Sequence, residues 1–470
     1  MNRRQFLSAS AISLGTRQAR AAERPNIVFL FSDDQRHDTI RELGNTEVET
    51  PNLDKLVRGG VAFTNAFIMG GTMGAVCVPS RAMLLAGQSL HHAHSAIIAP
   101  QGSAPTRPNT LFPEFFRQQG YRTYGIGKWH NGPRTYARCF SGGDHVFFGG
   151  MSDQFRIPVQ SFDPQGIYAK ERQRTEVRNA TEMFTDTAVG LLREQRPGQP
   201  FLLYVAYTSP HDPRTAPKPF HDRYPPSKVR LPENFLPEHP FDNGELKIRD
   251  EQLAPWPRTP EIIRQHIADY YAMITHLDSQ VGRVLDTLSE TGHAGNTIVV
   301  FAGDNGLAVG QHGLMGKQNL YDHSVRVPLI ISGPGLPRNQ RRDQFCYLLD
   351  VFPTLCDLTG FRTPATVEGM SLRGALRDSR AATRDSVYFA YRHFQRGVRT
   401  RDWKLLRYNA GGVQNTQLFD IRHDPWERNN LAGGSANAAR LREMTALLNA
   451  WMRKTDDPLD LDKPDWGYAN

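Results

Sequence analysis

Two pairs of oxygen-bearing side chains stand directly after apolar runs of the sequence. One pair is Asp33 and Asp34, and the other is Asp304 and Asn305. Carboxylate and amide oxygens are the ligands that Ca²⁺ and Mg²⁺ prefer, whereas zinc and copper favour nitrogen and sulfur. Either pair alone is more typical of a turn or a helix cap, but two pairs in matching positions indicate a site for a hard divalent cation.

Six further side chains have the chemistry of a nucleophile, an acid, a base or an anion ligand. Cys77 begins the segment Cys-Val-Pro-Ser-Arg, which leads into an apolar helical turn. A cysteine at a helix start lies where backbone N–H groups and the helix dipole favour negative charge. The competing interpretation of this cysteine is a small buried hydrophobic residue. In chain order the six are Cys77, Arg81, Lys128, His130, His211 and Lys317.

The motifs around these residues resemble, in type and order, those of the formylglycine-dependent sulfatases, the type I sulfatases of the alkaline phosphatase-like superfamily. The matching elements are Cys-x-Pro-Ser-Arg at 77–81, Gly-Lys-Trp-His at 127–130, Asp-Asn-Gly at 304–306 and Gly-Lys at 316–317. The resemblance extends over residues 25 to 335. Gln88 and Asn131 depart from the usual pattern, at positions outside the core chemistry.

The resemblance implies a modified nucleophile beside a metal ion. In that family a formylglycine-generating enzyme oxidises the cysteine during maturation, and the hydrate of the resulting aldehyde attacks sulfur. Covalent catalysis of this kind divides one difficult step into two easier ones. The implied ligands of a Ca²⁺ ion are Asp33, Asp34, Cys77 in its oxidised form, Asp304 and Asn305.

The resemblance also implies roles for the remaining charged side chains. Arg81 and Lys128 would stabilise the nucleophile and the ligands around it. Lys128 and Lys317 would bind the sulfate oxygens and supply positive charge there. His130 would be the base that triggers collapse of the sulfated enzyme, and His211 would protonate the leaving oxygen. A loop histidine without a catalytic role is the alternative for His211.

Strongly apolar runs end just before several of these residues, and helical segments lie between the runs. Continuous apolar strands separated by helices are typical of a buried, mostly parallel sheet. The carboxyl ends of such strands face one crevice, where ligands bind. The sequence therefore predicts an α/β fold with three layers, α/β/α, around a mostly parallel sheet. A long helix is predicted at 261–288, where apolar residues recur along one stripe.

Changes of pattern along the chain predict its domain organisation. Residues 23–375 are expected to form the catalytic domain, within which the proline-rich and charged stretch 212–260 would be a surface excursion near the site. Residues 376–470 are expected to form a smaller C-terminal α+β subdomain with a small antiparallel sheet. Its predicted strands lie at 386–391, 398–400, 403–408 and 417–420, and its predicted helix at 438–453.

Residues 1–22 resemble an export signal of the twin-arginine type. Arg3 and Arg4 precede a mildly apolar stretch, and Ala-Arg-Ala at 19–21 offers small residues around a cleavage point. An exported protein would be periplasmic or secreted. Removal of this segment takes away four arginines and no acid, so the formal charge falls from +8 to +4. That charge suits an anionic substrate and is too weak to indicate nucleic acid as a partner.

Composition argues against several other classes of protein. No apolar run approaches the roughly 20 residues that a membrane-spanning helix needs. The four cysteines are too scattered for a disulfide framework, and no C-x-x-C pair indicates zinc or redox chemistry. One disulfide among Cys139, Cys346 and Cys356 stays open for an exported protein.

These features predict a sulfuric-ester hydrolase that removes sulfate, with a sulfated saccharide as the favoured substrate. An aryl or choline sulfatase is an alternative, because such enzymes use the same core. A phosphodiester or phosphonate ester hydrolase is another, since related folds share the metal crevice. A third is a protein that binds sulfated glycans without turnover, against which the intact set of acid, base and metal ligands argues.

Overall fold

This computed structural model describes residues 24–98 and 108–468. The described residues contain sixteen strands and twelve α-helices. The strands are β1 (Asn26–Ser32), β2 (Val61–Phe67), β3 (Gly70–Gly71), β4 (Arg122–Lys128), β5 (Gly142–Phe147), β6 (Ile157–Val159), β7 (Arg174–Glu176), β8 (Phe201–Ala206), β9 (Thr297–Gly303), β10 (Arg326–Ser332), β11 (Gln340–Arg342), β12 (Cys346–Tyr347), β13 (Ser386–Tyr391), β14 (Gln395–Thr400), β15 (Trp403–Ala410) and β16 (Val413–Asp420). The predicted export signal at 1–22 lies outside the described residues.

The helices vary widely in length. They are α1 (Pro51–Gly59), α2 (Cys77–Ala86), α3 (Leu90–Ala93), α4 (Phe112–Gln118), α5 (Pro133–Cys139), α6 (Ala180–Arg193), α7 (Lys218–His221), α8 (Pro260–Glu290), α9 (Asp322–Val325), α10 (Val351–Leu358), α11 (Arg373–Arg377) and α12 (Ala438–Lys454). Short 3₁₀ turns lie at Arg41–Leu43, Lys170–Arg172, Pro226–Lys228, Arg249–Leu253, Ala294–Asn296, Leu348–Asp350 and Ser435–Asn437, and a π-helical turn at His94–Ile98.

The main sheet has nine strands, most of them parallel to their neighbours. Its order is β11-β2-β10-β9-β1-β8-β4-β5, and β12 also pairs with β2. β1 runs parallel to β8 and β9, and β4 runs parallel to β8 and β5. β10 is antiparallel to both of its partners, β2 and β9. The prediction of a mostly parallel sheet is confirmed.

Helices cover both faces of this sheet, as a parallel sheet requires. Along β1 the side chains alternate, so that Ile27, Phe29 and Phe31 enter one core while Val28 and Leu30 enter the other. α2, α4 and α10 pack on the first face, and α1, α6 and α8 pack on the second. The three-layer α/β/α arrangement is therefore also confirmed.

Helix α8 packs on the second face through its C-terminal half, and its N-terminal half is buried in a separate core. It begins after Thr259, whose hydroxyl accepts a hydrogen bond from the Ile262 N–H, and Pro260 occupies its first turn. Both features favour a helix start at this point. The apolar stripe predicted over 261–288 is buried, and the helix extends that prediction by a few residues at its ends.

A second sheet of five strands follows the main sheet in the chain, in the order β16-β15-β14-β13-β3. Strands β13 to β16 form an antiparallel meander, as predicted, although β14 and β16 begin earlier than expected. β3 joins this sheet parallel to β13 through Gly70 and Gly71. Two glycines carry no strand signal, so the sequence did not predict β3. The domain division at 375/376 stays a prediction.

The stretch 212–260 differs from the expected surface excursion. All of it is described, and it contains α7 and 3₁₀ turns but no strand. Ala216, Tyr224 and Val229 are buried in a core that they share with α8. The predicted surface excursion is therefore also partly buried, because its scattered apolar residues cover α8 without any regular period.

The described residues contain neither a helix that could cross a membrane nor a disulfide. None of the helices in 24–98 and 108–468 combines the length and apolar character that crossing a membrane requires. Cys139, Cys346 and Cys356 are all described, and each carries a free thiol. The disulfide that the sequence left open is therefore not formed in this structure.

A buried cluster of charges joins the second sheet to the catalytic region. Asp322, at the start of α9, forms ion pairs with Arg399 of β14 and with Lys404 of β15, the latter at 2.9 Å. The Lys404 Nζ also lies 2.5 Å from Glu427, and the Lys404 side chain is fully buried. Because charges removed from water are costly unless paired, each member of the cluster depends on the others.

Lys404→Gln should lower the free energy of unfolding by about 3–5 kcal/mol, because two buried carboxylates lose their shared cation. The midpoint of urea unfolding measures this change. Lys218→Gln is the matched control, since Lys218 and Asp222 form an ion pair with side chains 83% and 58% exposed. We expect the control to leave the midpoint unchanged, and equal shifts in the two variants would contradict the importance of the cluster.

Candidate active site

Four neighbouring strands bring most of the predicted site residues to one edge of the main sheet. β9, β1, β8 and β4 lie side by side and run parallel. Asp33 and Asp34 follow β1, Asp304 follows β9, Lys128 ends β4, and His211 lies shortly after β8. The carboxyl ends of parallel strands meet at the same edge, which explains how residues so distant in sequence converge.

Cys77 is the first residue of α2 and is 2% exposed. Its Sγ lies 3.2 Å from His130 Nδ1 and 3.6 Å from Lys128 Nζ. Burial raises the pKa of the Cys77 thiol, and the nearby positive charges of Lys128 and Lys317 do not offset this effect. The thiolate is the nucleophilic form of cysteine, so an unmodified thiol at this position would be a poor nucleophile at neutral pH.

Arg81 lies one helical turn after Cys77 and is fully buried. Its Nε donates to Asp304 Oδ2 at 2.9 Å, and its Nη1 donates to the Lys128 carbonyl at 2.7 Å. Ser80 Oγ donates to the Asp304 carbonyl at 2.5 Å. These bonds fix the start of α2 to the ends of β9 and β4.

Asp33, Cys77 and Asp304 each offer a ligand atom, and these atoms all lie within 4.8 Å of one another. Asp33 Oδ1 and Asn305 Oδ1 are buried, with no hydrogen-bond partner among the described residues. Burial, together with the Asp33 charge, raises the pKa of Asp304 to about 7. Buried oxygen atoms that lack a hydrogen-bond donor suit a hard divalent cation, so Asp33 and Asn305, together with Asp304, could hold a metal ion.

Asp34 takes a different position from the other predicted metal ligands. Lys317 Nζ donates to its two carboxylate oxygens at 2.7 and 3.0 Å, and Asn305 Nδ2 donates to Oδ1 at 2.7 Å. Burial alone would raise the pKa of Asp34, but the charges of His211, Lys317 and Lys128 outweigh it and hold the pKa well below its ordinary value. The predicted metal ligands therefore lie close together, but Asp34 is paired with Lys317 and is not in the group formed by Asp33, Cys77 and Asp304.

Lys128 connects the nucleophile to the acidic cluster. Its Nζ donates to Asp33 Oδ2 at 2.5 Å and to the Gly150 carbonyl at 2.6 Å. Burial by itself would lower the pKa of Lys128, but Asp33 and Cys77 raise it overall. Lys128 therefore carries a fixed positive charge beside Cys77.

His211 is held by its own neighbour in the chain. Its Nδ1 lies 2.7 Å from the Asp212 carbonyl oxygen, so Nδ1 carries the proton, and its Nε2 lies 3.6 Å from Asp34 Oδ2. Burial lowers the pKa of His211, although Asp34 acts in the opposite direction. Asp34, His211 and Asp212 form a second group with ligand atoms within 4.8 Å.

His130 faces Cys77 from the loop after β4. Burial, reinforced by the charge of Lys128, lowers the pKa of His130 to about 2, so the ring is neutral. His130 and Asp34 both have left-handed backbone conformations, with φ of 61° and 64°. Such conformations are uncommon outside glycine and often occur at functional sites.

Two groups at the site were missed in the sequence. The Gly150 carbonyl binds Lys128, and the Asp212 carboxylate lies 3.4 Å from His211 Nδ1. Adjacency to His211 could have drawn attention to Asp212. A backbone carbonyl in a loop carries no sequence signal, so Gly150 could not have been identified.

Saturating Ca²⁺ should raise the temperature of unfolding, because a cation that binds the native state alone stabilises it, by about 2.7 kcal/mol at one hundred times its dissociation constant. Thermal unfolding with added Ca²⁺ or with a chelator measures this shift. Asp304→Asn should abolish it. Asp278→Asn should keep it, because Asp278 is a buried aspartate that accepts hydrogen bonds from Asn52 and Leu53 away from the cluster. A full Ca²⁺ shift in Asp304→Asn would rule out this cluster.

Known proteins resemble this chain in sequence and in fold. The family model for sulfatases matches residues 25–361, and the model for the C-terminal part of N-sulphoglucosamine sulphohydrolase matches residues 310–454. An N-acetylglucosamine-6-O-sulfatase of Bacteroides thetaiotaomicron is 26% identical over 532 residues, which cover 96% of this chain and 91% of that protein.

Two solved structures share the fold. One is of a protein in complex with its substrate D-glucosamine-2-N,6-O-disulfate, with a TM-score of 0.78, 23% identity and coverage of 95% of this chain and 100% of the other. The second is a phosphonate monoester hydrolase of Agrobacterium radiobacter, with a TM-score of 0.73, 23% identity and coverage of 92% and 96%. The family match spans well over half of the chain and includes Cys77 and both acidic pairs. The chain therefore belongs to the sulfatase family and is an enzyme that hydrolyses sulfate esters.

Proposed function

We propose that this sulfatase removes a sulfate group from a sulfated saccharide, with residue 77 oxidised to formylglycine and a Ca²⁺ ion beside it. The observation that carries the proposal is the position of Cys77. Its thiol lies at a helix start, in contact with His130 and Lys128 and in one cluster with Asp33 and Asp304. A nucleophile, a base, a fixed cation and candidate metal ligands thus occupy one buried crevice.

Residues from three segments would hold the Ca²⁺ ion. They are Asp33, Asp34, Asp304, Asn305 and the oxidised residue 77. Bound there, the cation would supply positive charge that polarises the sulfate group. The unpartnered oxygens of Asp33 and Asn305 support this role. The raised pKa of Asp304 also supports it, because burial and the neighbouring charge of Asp33 disfavour the Asp304 carboxylate unless a cation is added.

The environment of Cys77 is better suited to a modified residue than to a thiolate. Its Sγ stands where the oxygens of a formylglycine hydrate would be. Oxidation to the aldehyde would supply, in the hydrate, one hydroxyl to take the sulfate and a second to release it. The raised pKa of the unmodified thiol argues against direct attack by sulfur.

Lys128 and Lys317 would supply the charges that bind the sulfate oxygens. Both side chains are nearly inaccessible to water, at 0% and 4% exposure, and both are held by aspartates of the site. Preorganised charges in a water-poor site stabilise developing charge strongly. Arg81 would not contact the substrate but would hold Asp304 and the Lys128 backbone in place.

The two histidines would divide the proton transfers between them. His130 Nδ1 lies 3.2 Å from the Cys77 Sγ and its ring is neutral, so by position it would be the group that takes a proton from residue 77 as the sulfated enzyme breaks down. When the His211 ring carries both protons, the Nδ1 proton stays on the Asp212 carbonyl, and the Nε2 proton, which faces Asp34, is the one that would pass to the leaving oxygen. General acid–base catalysis of this kind contributes roughly 10²–10⁴-fold to a rate.

Relatives support a saccharide as the substrate. The Bacteroides thetaiotaomicron relative acts, by its name, on N-acetylglucosamine 6-O-sulfate, and the structure with a TM-score of 0.78 contains a disulfated glucosamine. We further propose that residues 1–22 direct export to the periplasm or the medium, and that a formylglycine-generating enzyme matures residue 77.

Cys77→Ala should abolish turnover while leaving the protein folded. Cys77→Ser should retain at most slow or single-turnover activity, because serine has one hydroxyl and lacks the second needed for release. Cys139→Ala, which alters another buried thiol, is the control and should stay active. The mass of the peptide that contains residue 77 reports aldehyde against thiol. Full activity in either Cys77 variant would exclude this residue as the nucleophile.

Sulfate esters should be hydrolysed in preference to phosphate esters. With matched aryl sulfate and aryl phosphate, we expect kcat/KM to favour sulfate by about tenfold or more, which is about 1.4 kcal/mol in the transition state. A panel of defined sulfated saccharides, followed by sulfate release, tests the substrate class. A large preference for phosphate or phosphonate would instead support the alternative hydrolase.

A further inference from the structure

Three consecutive side chains in the stretch 212–260 contact both sides of the site. They belong to the 3₁₀ turn Arg249–Leu253, and residues 249–251 are here called the strap. We infer that the strap sets the relative position of His211 and Lys317, with Arg249 acting on the leaving-group side and Asp250 and Glu251 acting on the sulfate side. This inference rests on the roles proposed above for His211 and Lys317.

Arg249 secures the acid side of the site through Asp212. Its Nη1 lies 3.0 Å from Asp212 Oδ1, and its Nη2 contacts Oδ2, so the pair is bidentate. Asp212 is 5% exposed and supplies the carbonyl that orients the His211 ring. Bidentate arginine–carboxylate pairs fix geometry as well as adding energy. Arg249 therefore fixes Asp212, and Asp212 in turn orients His211.

Asp250 secures the sulfate side through Gln318, the residue after Lys317. Asp250 Oδ2 accepts a hydrogen bond from Gln318 Nε2 at 2.7 Å. The same Nε2 donates to the Gly74 carbonyl at 2.9 Å, and Gln318 Oε1 accepts from the Lys317 N–H at 3.0 Å. One amide thus links the strap, the Lys317 backbone and the segment that leads to Cys77.

Glu251 binds the backbone just before Lys317. Its two carboxylate oxygens accept from the Met315 and Gly316 N–H groups, each at 2.9 Å, and Arg258 donates to it at 2.7 Å. A Cβ at Gly316 would lie 2.4 Å from Gln318 Oε1 and 2.9 Å from the Asp250 Cβ. A side chain at position 316 would therefore displace Gln318 and press on the strap at Asp250.

The strap also closes a ring of contacts. Asp34 contacts both His211 Nε2 and Lys317 Nζ inside the site. On the outer side, Arg249 joins Asp212 to Asp250, to which it lies 3.0 Å. His211 and Lys317 are therefore connected through Asp34 on one side and through the strap on the other. Because a shift of about 1 Å can cost roughly 10²-fold in rate, such bracing should affect catalysis without contacting substrate.

The two arms of the strap, Arg249 on the His211 side and Asp250 with Glu251 on the Lys317 side, should have separable effects. Arg249→Gln should loosen His211, so kcat/KM should fall about tenfold more for esters with poor leaving groups than for esters with good ones, since a poor leaving group needs the acid. The inhibition constant of inorganic sulfate should stay unchanged. The measurement is the slope of log kcat/KM against leaving-group pKa, over the sulfate esters that the unaltered enzyme hydrolyses.

Asp250→Asn and Glu251→Gln should have the opposite signature. They should raise the inhibition constant of inorganic sulfate by about fivefold or more, because bound sulfate depends on positioned charge. The slope against leaving-group pKa should stay the same as in the unaltered enzyme. If the strap only stabilises the fold, its variants should lower the urea midpoint. They should then leave the inhibition constant of sulfate and the leaving-group slope both unchanged, or change both in every variant, and either result would contradict the inference.

Arg223→Gln is the matched control. Arg223 lies in the same stretch as the strap, forms an ion pair with Glu49, and has a side chain that is 45% exposed, against 42% for Arg249. We expect it to leave both quantities unchanged. His211→Ala and Lys317→Ala provide the reference for each arm. If they lack the leaving-group and sulfate signatures, the proposed function fails. If they show these signatures but the strap variants do not, the strap inference alone is overturned.

Discussion

Mutual neutralisation of buried charges is the condition on which the site depends. Three acids and three bases meet there, and none is more than 4% exposed; they are Asp33, Asp34, Arg81, Lys128, Asp304 and Lys317. Removing a charge from water is costly unless a partner of opposite sign is held close. Each of these charges therefore serves as a support for another. The same low-dielectric surroundings strengthen every interaction with an anion that enters.

The fold satisfies this condition through the order of its strands. β9, β1, β8 and β4 are neighbours and end at the same edge, so acids from two strands meet a lysine from another. α2 adds Cys77 and Arg81 across these strand ends, and Arg81 bonds both Asp304 and the Lys128 backbone. The second sheet is attached through β3, shortly before α2. The nucleophile is thus tied to both sheets.

Much of this arrangement could be predicted from local patterns. Continuous apolar runs followed at once by Asp33 or Asp304 indicated strands of a buried sheet and a crevice at their carboxyl ends. β3, the Gly150 carbonyl and the Glu251 contacts could not be predicted, because they depend on backbone groups that only tertiary packing brings together. The pairing of Asp34 with Lys317 was also missed, since motifs define residue types and not which partner each charge takes.

The burial of Cys77 has a consequence for the order of events in the life of the chain. At 2% exposure, behind Lys128 and His130, its thiol is out of reach of any other protein once both sheets are assembled. An enzyme that oxidises this side chain would need the segment around it extended and accessible. Modification would therefore have to come first and folding second, so that a molecule that folded too early would be trapped in an immature form.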